Sequence, residues 1–499
     1  MSHPPGVSIR ERVKEPPAPA LVDSYYGPAL TRALAHHFHL ENWVHLAHAR
    51  MLAAQGIIGA ADARALIAAI LEIDAAGPDA LPTDGTAEDL YSYFERTLIA
   101  RLGPETGGRL HTGRSRNDLH VTSWRMALRE KMLAVLDALA GFREAVLDQA
   151  ARHPATVMPG YTHWQHAQPV TLGYYLLAFA DGLARDYDRC AAALARTDRC
   201  PLGAGALTTT AFPLDRAMTA RALGFDGLVE IAYDAVANRD DAPEQAAALA
   251  ILMTGISRLA VDLQAWSTYE YGFIELADRH SAVSSIMPQK KNPSALEHAK
   301  AQAAMVTGNL VATLACAKNT AFADVSDGVT ALNDPVLDAL MTTRRVLVLM
   351  AEMIAGISVN ADRMGDFAAR GFGTATELAD VIVRETGLSF RMAHNIVAVV
   401  VAEAIGAGRS ATTITAAALD AAAARLFGRT LGIEPAAVAA ALDPAENVRR
   451  RTVTGGPAAA NMTAMLTARQ AALAADRATL AARRARLEAC RAAAFTPMA

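Results

Sequence analysis

A chain of 499 residues with 52% hydrophobic and 20% charged side chains has ample material for a large core, which excludes a disordered protein. A formal net charge of −4 offers no broad basic surface, so nucleic acid is excluded as a partner. Aromatic residues make up only 6%, amid abundant Ala, Leu and Arg, which favours helix over strand.

Residues 1–20, with Pro4, Pro5, Pro16, Pro17 and Pro19, are expected to form an extended arm without the apolar stretch of a signal peptide. From about Thr31 to Ala76 the pattern turns helical, with apolar positions at Leu46, Met51, Leu52, Ile57 and Ile58. His36, His37 and His39 within it are spaced too irregularly for a metal site. Long helices are then predicted over Leu119 to about Ala151, Leu172 to Thr197, Pro243 to Tyr271, Pro293 to about Lys318 and Pro335 to Ile357. Such lengths exceed the usual three or so turns, and their wide apolar faces call for a bundle with partners on several sides. Apolar stretches such as Val346–Val359 are broken by charges like Glu352, so no membrane span is expected. Cys190, Cys200, Cys316 and Cys490 show no metal spacing and read as reduced thiols of a cytoplasmic protein. Walker, HExxH and GxSxG signatures are missing, and Gly203-Ala204-Gly205 follows no strand pattern.

Three polar segments interrupt the helices. His111-Thr112-Gly113-Arg114-Ser115-Arg116-Asn117-Asp118 carries no large apolar side chain. It reads either as a capping loop, with Asn117 or Asp118 as N-cap, or as a carboxylate-binding pocket built from arginines, hydroxyls and an amide. Gly160-Tyr161-Thr162-His163-Trp164-Gln165-His166-Ala167-Gln168-Pro169 crowds polar groups ahead of the next helix. The third, Ser284-Ser285-Ile286-Met287-Pro288-Gln289-Lys290-Lys291-Asn292-Pro293, combines hydroxyls and lysines, with Asn292 and Pro293 as the expected N-cap and first residue of a helix. A serine hydrolase of the S-x-x-K type needs Lys three residues after Ser. Lys290 stands six after Ser284 and five after Ser285, so that chemistry fails on spacing.

On these three segments the chain resembles the argininosuccinate lyase family of the fumarase/aspartase superfamily. Pro201-Leu202-Gly203-Ala204-Gly205-Ala206-Leu207, Arg239-Asp240, Leu378-Ala379-Asp380 and Leu442-Asp443-Pro444 extend the similarity over nearly the whole chain. The resemblance implies an all-α fold of three domains, 1–118, 119–366 and 367–499. Four copies would form a homotetramer around a twenty-helix core, each site drawing one polar segment from each of three subunits. It implies elimination of an amine from an N-substituted aspartate with release of fumarate, and neither a metal nor an organic cofactor. Ser284 would be the base and His163 would pair with Glu297. Lys290 and Asn292 would hold the carboxylate on which charge accumulates. Ser115, Asn117, Thr162 and Thr112 would bind the dicarboxylate, with Arg116, Asp89 and Gln289 completing the substrate-binding set. Some relatives of this family serve as lens crystallins without activity; that alternative implies damage to the catalytic set, which here is intact.

The departures from the family pattern are selective. A family tyrosine and a Gln-Glu-Asp stretch give way to Asp324 and the run Phe322-Ala323-Asp324-Val325-Ser326-Asp327-Gly328-Val329. Val44-His45 replaces a Gly-Ser pair, Tyr91-Ser92-Tyr93 replaces His-Met-Asn, Ser294 replaces Asp, and Val283 replaces Gly, while Asp89 is kept. Residues assigned to the fumarate half survive and those around the leaving group change, so the same chemistry on a different amine is expected, with argininosuccinate itself as the alternative.

Overall fold

The computed structural model describes residues 12, 13 and 15–498, except the side chains of residues 327–330. Most of the expected N-terminal arm, and the side chain of Val329, therefore lie outside the described residues.

The N-terminal region consists of α1 (Gly27–His36), α2 (Phe38–Ala54), α3 (Ala60–Ala76) and α4 (Leu90–Gly107). The continuous helical pattern read from Thr31 to Ala76 is broken twice. His37 leaves helical geometry at φ −120°, and Gly56 turns left-handed at φ 67°, a conformation that costs glycine little. Trp43, Leu46, Leu52, Ile67, Ile70, Phe94 and Leu98 form the core of this region.

Five long helices follow. α5 (Arg116–Arg152) is joined by a hairpin of β1 (Val157–Thr162) and β2 (Gln165–Thr171) to α6 (Leu172–Thr197). α7 (Asp241–Trp266) is joined through the short pair β3 (Ala282–Val283) and β4 (Lys291–Asn292) to α8 (Ser294–Ala317), and α9 (Ser326–Ala355) closes the set. Helix α9 starts nine residues before the predicted origin at Pro335, because that proline lies inside the helix rather than in its first turn, the commonest place for one. By length and composition α7 is apolar enough to cross a membrane, but 56% of its apolar window is buried inside this chain.

Contacts at the helix ends fix their directions. Gly173 N–H donates to the His153 carbonyl, so α6 starts where α5 ends, and a Cβ at Gly173 would stand 2.6 Å from the Ala150 carbonyl oxygen. At the far end Arg125 donates to the Thr197 carbonyl, and Gln245 to the Thr197 hydroxyl, which brings the start of α7 to the end of α6. Tyr175 bonds Asp262 and Lys300 bonds Gln264, so α7 ends and α8 begins beside the hairpin. Gln149 donates to the Ile354 carbonyl, placing the end of α9 there as well.

The C-terminal region contains α10 (Ala361–Arg370), α11 (Ala375–Thr386), α12 (Phe390–Gly406), α13 (Ala416–Phe427) and α14 (Pro435–Leu442), the last four around their own core of Leu378, Ile382, Ile396, Leu419 and Leu442. The final helix, α15 (Ala459–Ala494), leaves that core and runs back along α5 and α6. Its Met462, Leu473 and Leu480 join the bundle interior, and Arg50 donates to the Ala494 carbonyl in the N-terminal region. The architecture is all-α apart from three two-stranded pairings among the described residues.

Candidate active site

The first polar segment is a capping loop as well as a pocket wall, and the cap differs from the expected one. Ser115, neither Asn117 nor Asp118, is the N-cap of α5: its Oγ accepts from Asn117 N–H at 3.3 Å. Asp118 completes a capping box by accepting from Ser115 N–H at 3.0 Å, and its other oxygen accepts from Gly203 and Gly205 N–H at 2.9 and 3.0 Å. A fully buried carboxylate thus ties the 112–117 loop to the 201–206 loop. Asp118→Ala leaves two buried N–H donors, of Gly203 and Gly205, unpaired at about 1–3 kcal/mol each, and frees the half-buried Ser115 N–H. It is expected to lower the melting temperature by several degrees and to raise KM, measured by calorimetry and steady-state kinetics. Wild-type values for both would show that this tie does not support the site.

Arg116 and Asn117, together with Asp89 at the N-cap of α4, line a cavity of about 330 Å³. Helices α1, α2, α5 and the start of α9 enclose it. Each arginine on its wall is already paired: Arg116 with Glu88 at 3.0 Å and Asp89 at 2.9 Å, Arg239 with Asp324 at 2.9 Å, and Arg32 with Asp334 at 2.9 Å. Burial alone would raise the Asp89 carboxyl, but His120, Arg116 and the bonds from Ser92 outweigh it and hold it below the usual range. Glu41 is the opposite case. It is 3% exposed, and burial, then the Asp89 charge, pushes it up to about 8.

Several sequence expectations about this wall need correction. Val44 and His45 are fully buried and face the core behind the cavity rather than the cavity itself. His45 Nδ1 meets Arg114 at 3.0 Å, while Tyr91 Oη and His111 Nδ1 lie 2.8 Å apart, so these replacements brace the first segment from behind. The residues missed were Glu41, Glu88 and His120. For Glu41 a signal was available in α2: Glu41, His45 and His48 repeat at helical spacing on a face that is otherwise apolar, and all three are buried.

The second segment is not a simple lead-in to a helix but the β1–β2 hairpin, N-capping α6 through Thr171. Its two-residue tip is His163 and Trp164, both with positive φ (54° and 59°), a geometry normally left to Asn and Gly. The prolines and glycine of the strands hide their alternation. The strained tip holds His163 and Thr162 out into solvent.

The third segment crosses from β3 to β4. Asn292 is paired with Ala282 in this ladder and Pro293 is itself the N-cap, with no side-chain cap, so α8 begins one residue later than expected. Ser284 Oγ accepts N–H bonds from Met287 at 3.0 Å and Ile286 at 3.4 Å, an arrangement that favours negative charge on that oxygen. Lys291 is held by Glu275 (2.8 Å) and Asp278 (2.7 Å), whereas Lys290 and Gln289 are exposed on the loop. Glu297 lies exposed in the first turn of α8, suited to the helix dipole.

His163, Ser284 and Glu297 share one end of the bundle, but Asp89, Arg116 and Asn117 stand at the other. Helix α5 alone, at 37 residues, separates them by roughly 55 Å at 1.5 Å per residue.

Residues 20–308 match the lyase family and residues 372–449 the argininosuccinate lyase C-terminal family. The argininosuccinate lyase of Methanothermobacter thermautotrophicus is 41% identical over 423 residues, 85% of this chain and 90% of that one. The chain belongs to the argininosuccinate lyase family. It is a carbon–nitrogen lyase of the fumarase/aspartase superfamily, releasing fumarate. Among solved structures, EDDS lyase in complex with formate is 36% identical with a TM-score of 0.86, covering 97% of this chain and 95% of that one. A variant of EDDS lyase with bound fumarate gives the same identity and score, covering 99% and 97%.

Proposed function

We propose that this family member is a cytoplasmic homotetramer with domains 1–118, 119–366 and 367–499. Each active site would combine the 111–118 segment of one subunit, the hairpin of a second and the 284–293 loop of a third. The observation that carries this reading is the length of α5: one chain cannot bring Asn117 to Ser284. Exposed apolar residues on the bundle helices support it, namely Ile251 on α7, Met305, Val311 and Leu314 on α8, and Val348 on α9. A twenty-helix core of four copies would cover them.

In the assembled site Ser284 takes the proton from the carbon beside one carboxylate of an N-substituted aspartate. Lys290 and Asn292 stabilise the doubly charged carboxylate that results. The electron pair then forms the C=C bond of fumarate as the C–N bond breaks, and the nitrogen leaves with a proton, with His163 and Glu297 forming the histidine–carboxylate pair beside it. Ser115, Asn117, Thr112 and Thr162 bind the dicarboxylate. The amine lies in the cavity lined by Asp89, and its changed wall supports an amine other than arginine. Argininosuccinate is the second reading, favoured by the relatives of that name at about 40% identity.

Shared sites make a sharp expectation. His163→Asn and Lys290→Ala are each expected to be inactive as pure tetramers. After mixing and reassembly, about a quarter of sites should draw both segments from unaltered copies and recover fumarate release, read by ultraviolet absorbance. No recovery despite proven subunit exchange would mean that each site is contained in one chain.

A further inference from the structure

The amine cavity contains one carboxylate that forms no ion pair among the described residues, Arg114 acting on it only at longer range. Each of its guanidiniums is engaged by Asp or Glu, but Glu41, 3% exposed on the cavity wall, keeps Oε2 without a hydrogen-bond partner among the described residues. His37 Nδ1 on the same wall is also without a partner. Burial, then the charges of His120, His36 and Lys131, pushes that imidazole down to about 3, so at neutral pH it carries no charge and offers a lone pair in the tautomer protonated on Nε2. Trp124 Nε1 and Arg239 Nε, on two other lining residues, are donors likewise without a partner, so the wall can meet both polarities, and its two acceptors suit a donor that arrives with the substrate.

We propose that the amine half of this chain's substrate carries a second amino group, a protonated ammonium on a short alkyl chain, and that Glu41 is the residue that selects it.

This rests on the lyase reading above and adds the class of leaving group. The shape of the acceptors decides for ammonium over guanidinium. A guanidinium presents a planar fork and wants paired oxygens in its plane, whereas an ammonium is a compact point charge with three rotatable donors. One free carboxylate oxygen and one imidazole nitrogen suit the latter. Asp89 and Asp324, which could complete a fork, are already bonded to Arg116 and Arg239. The high proton affinity of Glu41 fits the same role: burial, then Asp89, disfavours its charge until a cation enters.

The test uses addition, in which the free amine nitrogen bonds one alkene carbon of fumarate, the other carbon takes a proton, and the nitrogen loses one. Fumarate loss is followed with 1,3-diaminopropane and with butylamine, which matches it in length but ends in a methyl group. The wild-type enzyme is expected to favour the diamine by at least about 100-fold in kcat/KM, because a site built to bond a polar group rejects the analogue lacking it. In Glu41→Gln the preference should fall to within about fivefold, while KM for fumarate stays unchanged. Butylamine used within tenfold of the diamine by the wild-type enzyme would overturn the inference whether or not the variant folds, and so would an unchanged preference in Glu41→Gln. Cleavage of argininosuccinate without addition of either amine would overturn it and leave the lyase reading intact. No turnover of any amine or N-substituted aspartate would overturn both.

Discussion

Replacing Ser284 with alanine is expected to lower kcat by about three orders of magnitude while the melting temperature and assembly stay at wild-type values. The magnitude is the middle of the range for a positioned general base, about 10²–10⁴-fold. The stability expectation comes from the fold. Ser284 sits on a partly exposed loop, packs into no core, and its hydroxyl only accepts from Ile286 and Met287 N–H. Those donors can turn to water when the oxygen is removed. They also explain why Ser284 rather than Ser285 is the better candidate: two N–H groups directed at Oγ lower the cost of negative charge there. Steady-state kinetics together with a thermal melt separates the roles. Retention of more than about a tenth of kcat would move the base to Ser285, and a large fall in melting temperature would make Ser284 a structural residue.

The sequence showed the long helices because their apolar faces are periodic over many turns: α6 ends where periodicity placed it, at Leu172 and Thr197. Boundaries failed where one residue does two jobs. The sequence offers Asn117 or Asp118 as the N-cap of α5, but Asp118 sits in the first turn and binds three separate N–H groups, a use that only the approach of Gly203 and Gly205 reveals. The β1–β2 hairpin was missed because its turn is His163-Trp164 and its strands contain Pro159, Gly160 and Pro169, all poor strand signals. Helix α15 was missed because its buried positions are sparse, with Leu473 and Leu480 separated by two full turns of Ala and Arg. The polar segments were legible as segments, but their separation along α5 was not, since sequence order carries no distance. The amine wall was the least legible: Val44 was assigned to it from a replaced motif, yet the side chain from α2 that reaches the cavity is Glu41, three residues earlier.

Argininosuccinate is expected to be a poor substrate, with kcat/KM below about 10⁴ M⁻¹s⁻¹, the lower edge of the ordinary enzyme range. A guanidinium brings five donors into the cavity. Among the acceptors that line the cavity with Asn117 are Asp89, held by Arg116 at 2.9 Å, and Asp324, held by Arg239 at 2.9 Å. Bonding the substrate through Asp89 means competing with Arg116, which would keep Glu88 alone, and bonding it through Asp324 means displacing Arg239 from its one carboxylate. Arg239 is poorly placed to accept that loss, since its side chain is only 11% exposed and its Nε already lacks a partner. If two donors end unpaired at about 1–3 kcal/mol each, roughly two to four orders of magnitude in kcat/KM are lost. Glu41 could meet one of the five, which is too few to fix the orientation of a planar fork. Steady-state kinetics with argininosuccinate decides the matter. A value above about 10⁴ M⁻¹s⁻¹ would mean that the Arg116 and Arg239 pairs open readily to admit a second guanidinium, and that the altered wall recognises arginine by contacts other than those its relatives use.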